Sequence, residues 1–192
     1  MNIEQLLSLI PALALGIALS AASGFRIFIP LLVTNLASKA GFFTLAGNFT
    51  WMSSDTATII LIVAAVFELA AYYIPFIDNL LDTVAAPSAV VAGTLLTTSF
   101  LQINDPVLQW GLGLVAGGGV AGTIQAGTSL LRLGSSKFTG GLGNNFLATG
   151  ENVISVGISL FSIWIPIFIA ILVLLFVIWV WKKIWKRKKS VQ

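Results

Sequence analysis

The sequence predicts an all-α, polytopic helical membrane protein with about five membrane segments and discontinuous helices. Three observations predict it. The chain is 57% hydrophobic and only 9% charged. A soluble domain carries about 25% charged residues, so this one has too few to cover a water-facing surface. Its charge-poor runs reach the roughly 20 residues that a helix needs to cross the hydrocarbon core. Proline and glycine recur inside those runs, at Pro30, Pro75, Gly117, Gly118, Gly119 and Gly122, positions that suit helix breaks or close helix packing.

The first run covers 5–25 and continues past Arg26 to Leu36. It lacks the positive n-region of a signal peptide, its only early charge being Glu4, and reads as a retained span. The second run is 57–80, interrupted by Glu68. The third is 83–104 and the fourth 106–131, rich in glycine. The fifth is 152–181. Trp164 stands near one end of it and Trp179, Trp181 and Trp185 near the other, as in an aromatic belt.

Six of the ten basic residues follow directly, from Lys182 to Lys189. A cluster in this position reads as a cytoplasmic topology anchor, with no nucleic-acid partner needed. The expected organisation is one transmembrane domain, 1–181, and a basic cytoplasmic tail, 182–192, in a multi-pass protein of the cell membrane. Cysteine and histidine are both absent. No disulfide, thiolate nucleophile or Cys/His zinc site can be built, so no cofactor and no metal site is expected. The expected partners are the lipid bilayer and an ion or small solute, with a homo-oligomer left open.

A weak internal repeat aligns 15–48 with 112–145 without gaps. Leu15, Gly16, Ile27, Leu36, Ser38, Leu45 and Asn48 meet Leu112, Gly113, Ile124, Leu133, Ser135, Leu142 and Asn145. If 83–104 is a full span, three spans separate the starts of the two copies. The second copy is then inverted, as in many transporters.

The chemistry-bearing residues centre on Glu68, a carboxylate within an apolar run. On insertion scales such a charge costs about 2.5–3.5 kcal/mol. On a continuous helix Glu68, Pro75 and Asp82 share a stripe, with Tyr72 on the same side and Asp78 nearby. Pro75 removes a backbone N–H and frees a carbonyl near Ala71. Together these groups suit a proton or a hard cation. Alternatively, Asp78 and Asp82 only end the span at the interface. Arg26, between Gly24 and Pro30, needs a carboxylate or several carbonyls, and Glu68 is its expected partner. A ligand contact or a snorkelling side chain are the alternatives. Gly117, Gly118, Gly119 and Gly122 fit either close helix packing or an unwound, path-lining helix. Gln125 needs a hydrogen-bond partner in lipid, as glue or as path lining. Asn144, Asn145 and Glu151 read as a solvated, glycine-rich linker.

At GFRIFIPLL and FELAAYYIPFIDNLLD the chain resembles domain-of-unknown-function family 4126, uncharacterised bacterial integral membrane proteins, over about residues 10–178. The resemblance implies a multi-span helical fold in a bacterial inner membrane and brings no activity. Its Arg-Pro element falls on Arg26 and Pro30, and its Glu…Pro…Asp…Asp element on Glu68, Pro75, Asp78 and Asp82. A basic residue common before the Ile-Pro step is replaced here by Tyr73.

The leading expectation is a small transporter or channel subunit with an acidic path of Glu68, Asp78, Asp82, Arg26, Tyr72 and Gln125. The rival is a structural or assembly protein whose buried polar residues only lock helices. An intramembrane aspartyl enzyme is disfavoured, because Asp78 and Asp82 lie on one segment and such chemistry needs two facing carboxylates.

Overall fold

The computed structural model describes residues 3–139 and 143–189; for 3–6, 75–76, 78–80, 82, 184 and 186–189 only the backbone is described. The described residues form helices joined by short loops, with no strand among them. Its elements are α1 (Ile3–Ser23), α2 (Phe28–Lys39), a 3₁₀ segment (Gly47–Ser53), α3 (Asp55–Ala71), α4 (Pro75–Phe100), α5 (Pro106–Leu112), a π-helical turn (Gly113–Gly118), α6 (Gly119–Thr139), α7 (Asn144–Trp164) and α8 (Pro166–Lys189). Among the described residues four helices are long and apolar enough to cross a membrane: Thr83–Phe100, Pro106–Thr139, Asn144–Trp164 and Pro166–Lys183. A fifth crossing results if the 3₁₀ segment and α3, bent by 63°, count as one.

Helix α1 is the centre of the bundle. Its residues Ala18, Leu19, Ser20, Ala21, Ala22 and Ser23 are fully buried. Small side chains all round let several helices approach it at once, which is how helices associate without a hydrophobic drive in lipid. A Cβ on Gly16 would lie 2.8 Å from the Thr97 Cα of α4. One turn on, the Ser20 hydroxyl donates to Gly93 O at 2.7 Å. Helix α4 therefore runs antiparallel to α1.

The second expected span is not one helix. It breaks at Tyr72–Ile74, and Pro75 becomes the first residue of α4. Proline is well suited to that position, where its missing N–H has no helical partner, and it pushes the preceding residue out of helix. Ile74 is accordingly extended, at φ −104° and ψ 107°. The stripe through Glu68, Pro75 and Asp82 is thereby split between two helices. The expected third span begins earlier, at Pro75, and carries Asp78 and Asp82 in its first two turns. The fifth span divides in the same way at Ile165-Pro166.

In their first parts, 15–23 and 112–120, the two copies of the repeat are not inverted relative to each other. Gly16 and Gly113 both face α4 at Thr97–Thr98, and Gly117, aligned with Ser20, meets Gly93 and Thr97. These first parts flank α4 at the same heights and run parallel, whereas α2 runs opposite to the part of α6 it aligns with. The reason is the break at Gly24–Ile27: the chain reverses there, so α2 adds one change of direction between the copies. The copies also differ locally, since α1 stays α-helical where the second copy forms its π turn.

The helices give the bundle two ends. At one end lie the start of α1, the end of α4, the start of α5, the end of α7 and the start of α8. Together they line a cavity of about 810 Å³ that includes Ser8, Phe42, Phe100, Gln102, Asp105 and Pro166. At the other end, α1, α3, α6 and α8 finish and α2, α4 and α7 begin. The latter is called the tail end below, because α8 leads there to the basic residues.

Candidate functional site

Just inside the tail end, four segments converge on Glu151. Arg26, in the loop after α1, is 1% exposed. Its Nη1 lies 2.9 Å from Glu151 Oε2. Nη1 also donates to Phe25 O and Nη2 to Ala148 O, each at 3.0 Å, while Nε donates to Asn152 Oδ1. Arg132, on α6 and 2% exposed, reaches the same carboxylate. Its Nε donates to Glu151 Oε1 at 3.2 Å, and its Nη2 pairs with Oε2. Both guanidiniums lie over the ring of Tyr72, Arg26 at 3.9 Å and Arg132 at 4.4 Å from its centroid. A desolvated cation over an aromatic face is worth up to about 2 kcal/mol. A small polar chain extends the cluster: Asn152 Nδ2 donates to Tyr73 Oη at 3.3 Å, and Tyr73 Oη bonds Thr149 Oγ1 at 3.0 Å.

Glu68 lies beside this cluster, within the field of Arg26, but forms no direct ion pair with it among the described residues. Arg26 pairs with Glu151, not with Glu68 as the sequence led one to expect. Glu68 instead accepts from the backbone N–H of Ile27 at 2.7 Å and of Phe28 at 3.0 Å. These N–H groups open α2, where a helix has donors without internal partners and the positive end of its dipole. The carboxylate fits there because α3 and α2 pack as an antiparallel pair. Their far ends are tied by Lys39 to Asp55 and by Thr58 to Asn35.

The other expected site residues fall as follows. Tyr72 joins the arginines. The carbonyl of Ala71 is not freed for a ligand, since it accepts from Ile74 N at 3.1 Å. The side chains of Asp78 and Asp82 lie outside the described residues. Gln125 is buried and donates to Ser129 on its own helix at 3.3 Å. Pro30 is the third residue of α2, inside the first turn, where proline does not break a helix. Gly117, Gly118 and Gly122 are packing contacts. A Cβ on Gly118 would lie 2.6 Å from Thr94 Oγ1 and one on Gly122 2.9 Å from Val90, while Gly117 abuts Gly93 O. Gly119 meets nothing within 4 Å.

Glu151 and Asn144 are buried, not solvated. The sequence reading also missed Arg132. A signal was there. Asn144, Ala148, Glu151, Ser155, Ser159 and Ser162 recur every three or four residues and form the buried face of α7. Along this face Ser155 donates to Ala22 O at 3.1 Å. A helix whose polar stripe faces inward is the reverse of a soluble amphipathic helix.

The architecture is that of a multi-pass, all-helical membrane protein with a buried ionic cluster near one end. The chain belongs to the family described as Domain of unknown function (DUF4126), whose profile matches residues 13–186. No curated protein and no solved structure matches it.

Proposed function

We propose that this protein is a small membrane transporter or channel subunit for an ion or small solute. In this reading the Arg26–Glu151–Arg132 cluster is a latch that closes the tail end. The observation that carries it is the asymmetry of the two ends among the described residues. One opens into the 810 Å³ cavity. The other is held by charged side chains from both halves of the chain, Arg26 from the first and Arg132 and Glu151 from the second. An ion pair suits a latch because it is directional and is weakened by entering water, whereas apolar packing has no such switch. Between the two ends lie buried hydroxyls, among them Ser20, Thr97, Ser155 and Ser159.

The tail end is the cytoplasmic one in this reading. Lys39 lies at the cavity end, and the other nine of the ten Lys and Arg residues are at the tail end, the distribution that the positive-inside rule associates with the cytoplasm. The N-terminal end of α1 is then across the membrane.

The test uses proteoliposomes. A panel of ions and small polar solutes is expected to reveal a saturable flux, and Glu151→Gln is expected to change its rate several-fold. Because the chain has no cysteine, single replacements report access directly. Cysteine at Gln102 is expected to label from the side opposite the tail, and cysteine at Ser155 to label from the tail side only when Glu151 is also Gln. No flux across the panel, with Ser155→Cys unreachable in both backgrounds, favours the second reading. That reading is a structural membrane protein, and the observation behind it is Glu68, whose two oxygens are both spent on the backbone of α2.

A further inference from the structure

We propose that the groove between α1, α6, α7 and α8 holds one acyl chain of an anionic phospholipid, with the lipid phosphate against Lys183 and Lys182. The groove has a volume of about 250 Å³, and its lining, which includes Ala21, Phe25, Ile124, Ile158, Val173 and Phe176, is apolar throughout. Such a lining takes hydrocarbon and strands any polar group placed in it.

What marks the occupant as a phospholipid is the face of α8 beyond the groove. Phe176 stacks on Trp179, with ring centroids 6.1 Å apart and an interplanar angle of 28°. Lys183 Nζ lies 4.8 Å from the centroid of the Trp179 ring. The spacings of three and four put Phe176, Trp179 and Lys183 on one face of the helix. That face presents hydrocarbon, then an indole, then an ammonium. A phospholipid presents acyl chain, glycerol region and phosphate in the same order. Trp181 Nε1 reaches Thr123 Oγ1 at 3.4 Å. This contact pins α8 to α6 beside Ile124, so the groove wall and the cation keep a fixed separation. The basic run 182–189 adds the field that draws anionic headgroups. A zwitterionic lipid could fill the groove but would gain little from that field, so the site should select for net negative charge.

Native mass spectrometry of the full chain, released from bilayers of equal phosphatidylglycerol and phosphatidylcholine, tests this. Wild type is expected to retain one phosphatidylglycerol in preference to phosphatidylcholine. Lys183→Gln should lower that preference about fivefold, the equivalent of about 1 kcal/mol for one lysine at an anionic surface, and Lys182→Gln should lower it further. Ile124→Trp, which fills the groove, should abolish retention of either lipid. Soluble glycerophosphate should not displace the bound lipid, because it lacks the acyl chain. Both lysines are exposed, so their variants fold whatever the fate of Ile124→Trp. Equal retention of the two lipids by wild type would mean an ordinary annular lipid and overturn the proposal. An unchanged preference in the Lys182/Lys183 double variant, or displacement by glycerophosphate, would overturn it as well.

Discussion

Glu68 and Glu151 are both buried carboxylates near the same end of the bundle, and they are stabilised in opposite ways. Glu68 closes the first turn of α2 through two backbone N–H groups. Glu151 is held by two arginine side chains from separate parts of the chain. The first arrangement is local in kind, a helix end satisfied by an anion. The second joins the loop after α1, α6 and α7. The difference teaches that a buried acid does not define an ion path by its burial alone. What answers its charge decides whether it fastens one element or several.

Glu151→Ala is the strongest way to break this comparison. It removes the carboxylate shared by both guanidiniums and should cost about 3–5 kcal/mol, the range for breaking a buried pair. The expected readout is the largest fall in thermal midpoint of any single change in the cluster. Arg26→Ala should cost less, because Arg132 still reaches Glu151; a larger loss from Arg26→Ala would mean that the cluster is organised by Arg26.

Glu68→Ala should come next. Each buried N–H left unmet costs about 1–3 kcal/mol. Glu68→Gln keeps one acceptor oxygen and should recover part of that loss. Hydrogen exchange at Ile27 and Phe28 gives a site-specific check. Acceleration there, with the amides around Ala148 unaffected, sharpens the division between the two acids. Uniform acceleration across both sites would merge them.

The smallest effect belongs to Lys39→Ala. Its partner Asp55 is 92% exposed, and exposed pairs contribute little. No resolvable change in thermal midpoint is expected in physiological salt. A drop comparable to that of Glu68→Ala would show that the α2–α3 hairpin is held from its other end.

Much of this was legible in the sequence, for reasons that particular residues make plain. Glu68 stood out because it interrupts an apolar run, and its burial followed. Its partners did not, since nothing in the run 57–80 reveals that α2 folds back along α3. Arg26 was rightly expected to need an acid. The nearest candidate in an apolar context was Glu68, while Glu151 was hidden in a stretch of Gly, Asn and Ser that resembles a solvated linker. Periodicity, read as an inward polar face, could have exposed it. Arg132 carried no comparable signal.

The sequence by itself determined the class. Too few charges and long apolar runs leave a multi-pass helical bundle as the state in which backbone polar groups are satisfied in lipid. It also marked two of the break points, because proline disfavours helix in the residue before it, as at Ile74 and Ile165, although Pro11 and Pro87 stand inside α1 and α4. Only the tertiary structure decided which charges meet. Arg26 and Glu151 are 125 positions apart and adjoin because α1 packs against α7 through Ala22 and Ser155. It decided as well that the chain reverses after Gly24, where Glu68, 40 or more positions further on, accepts from the first N–H groups of α2.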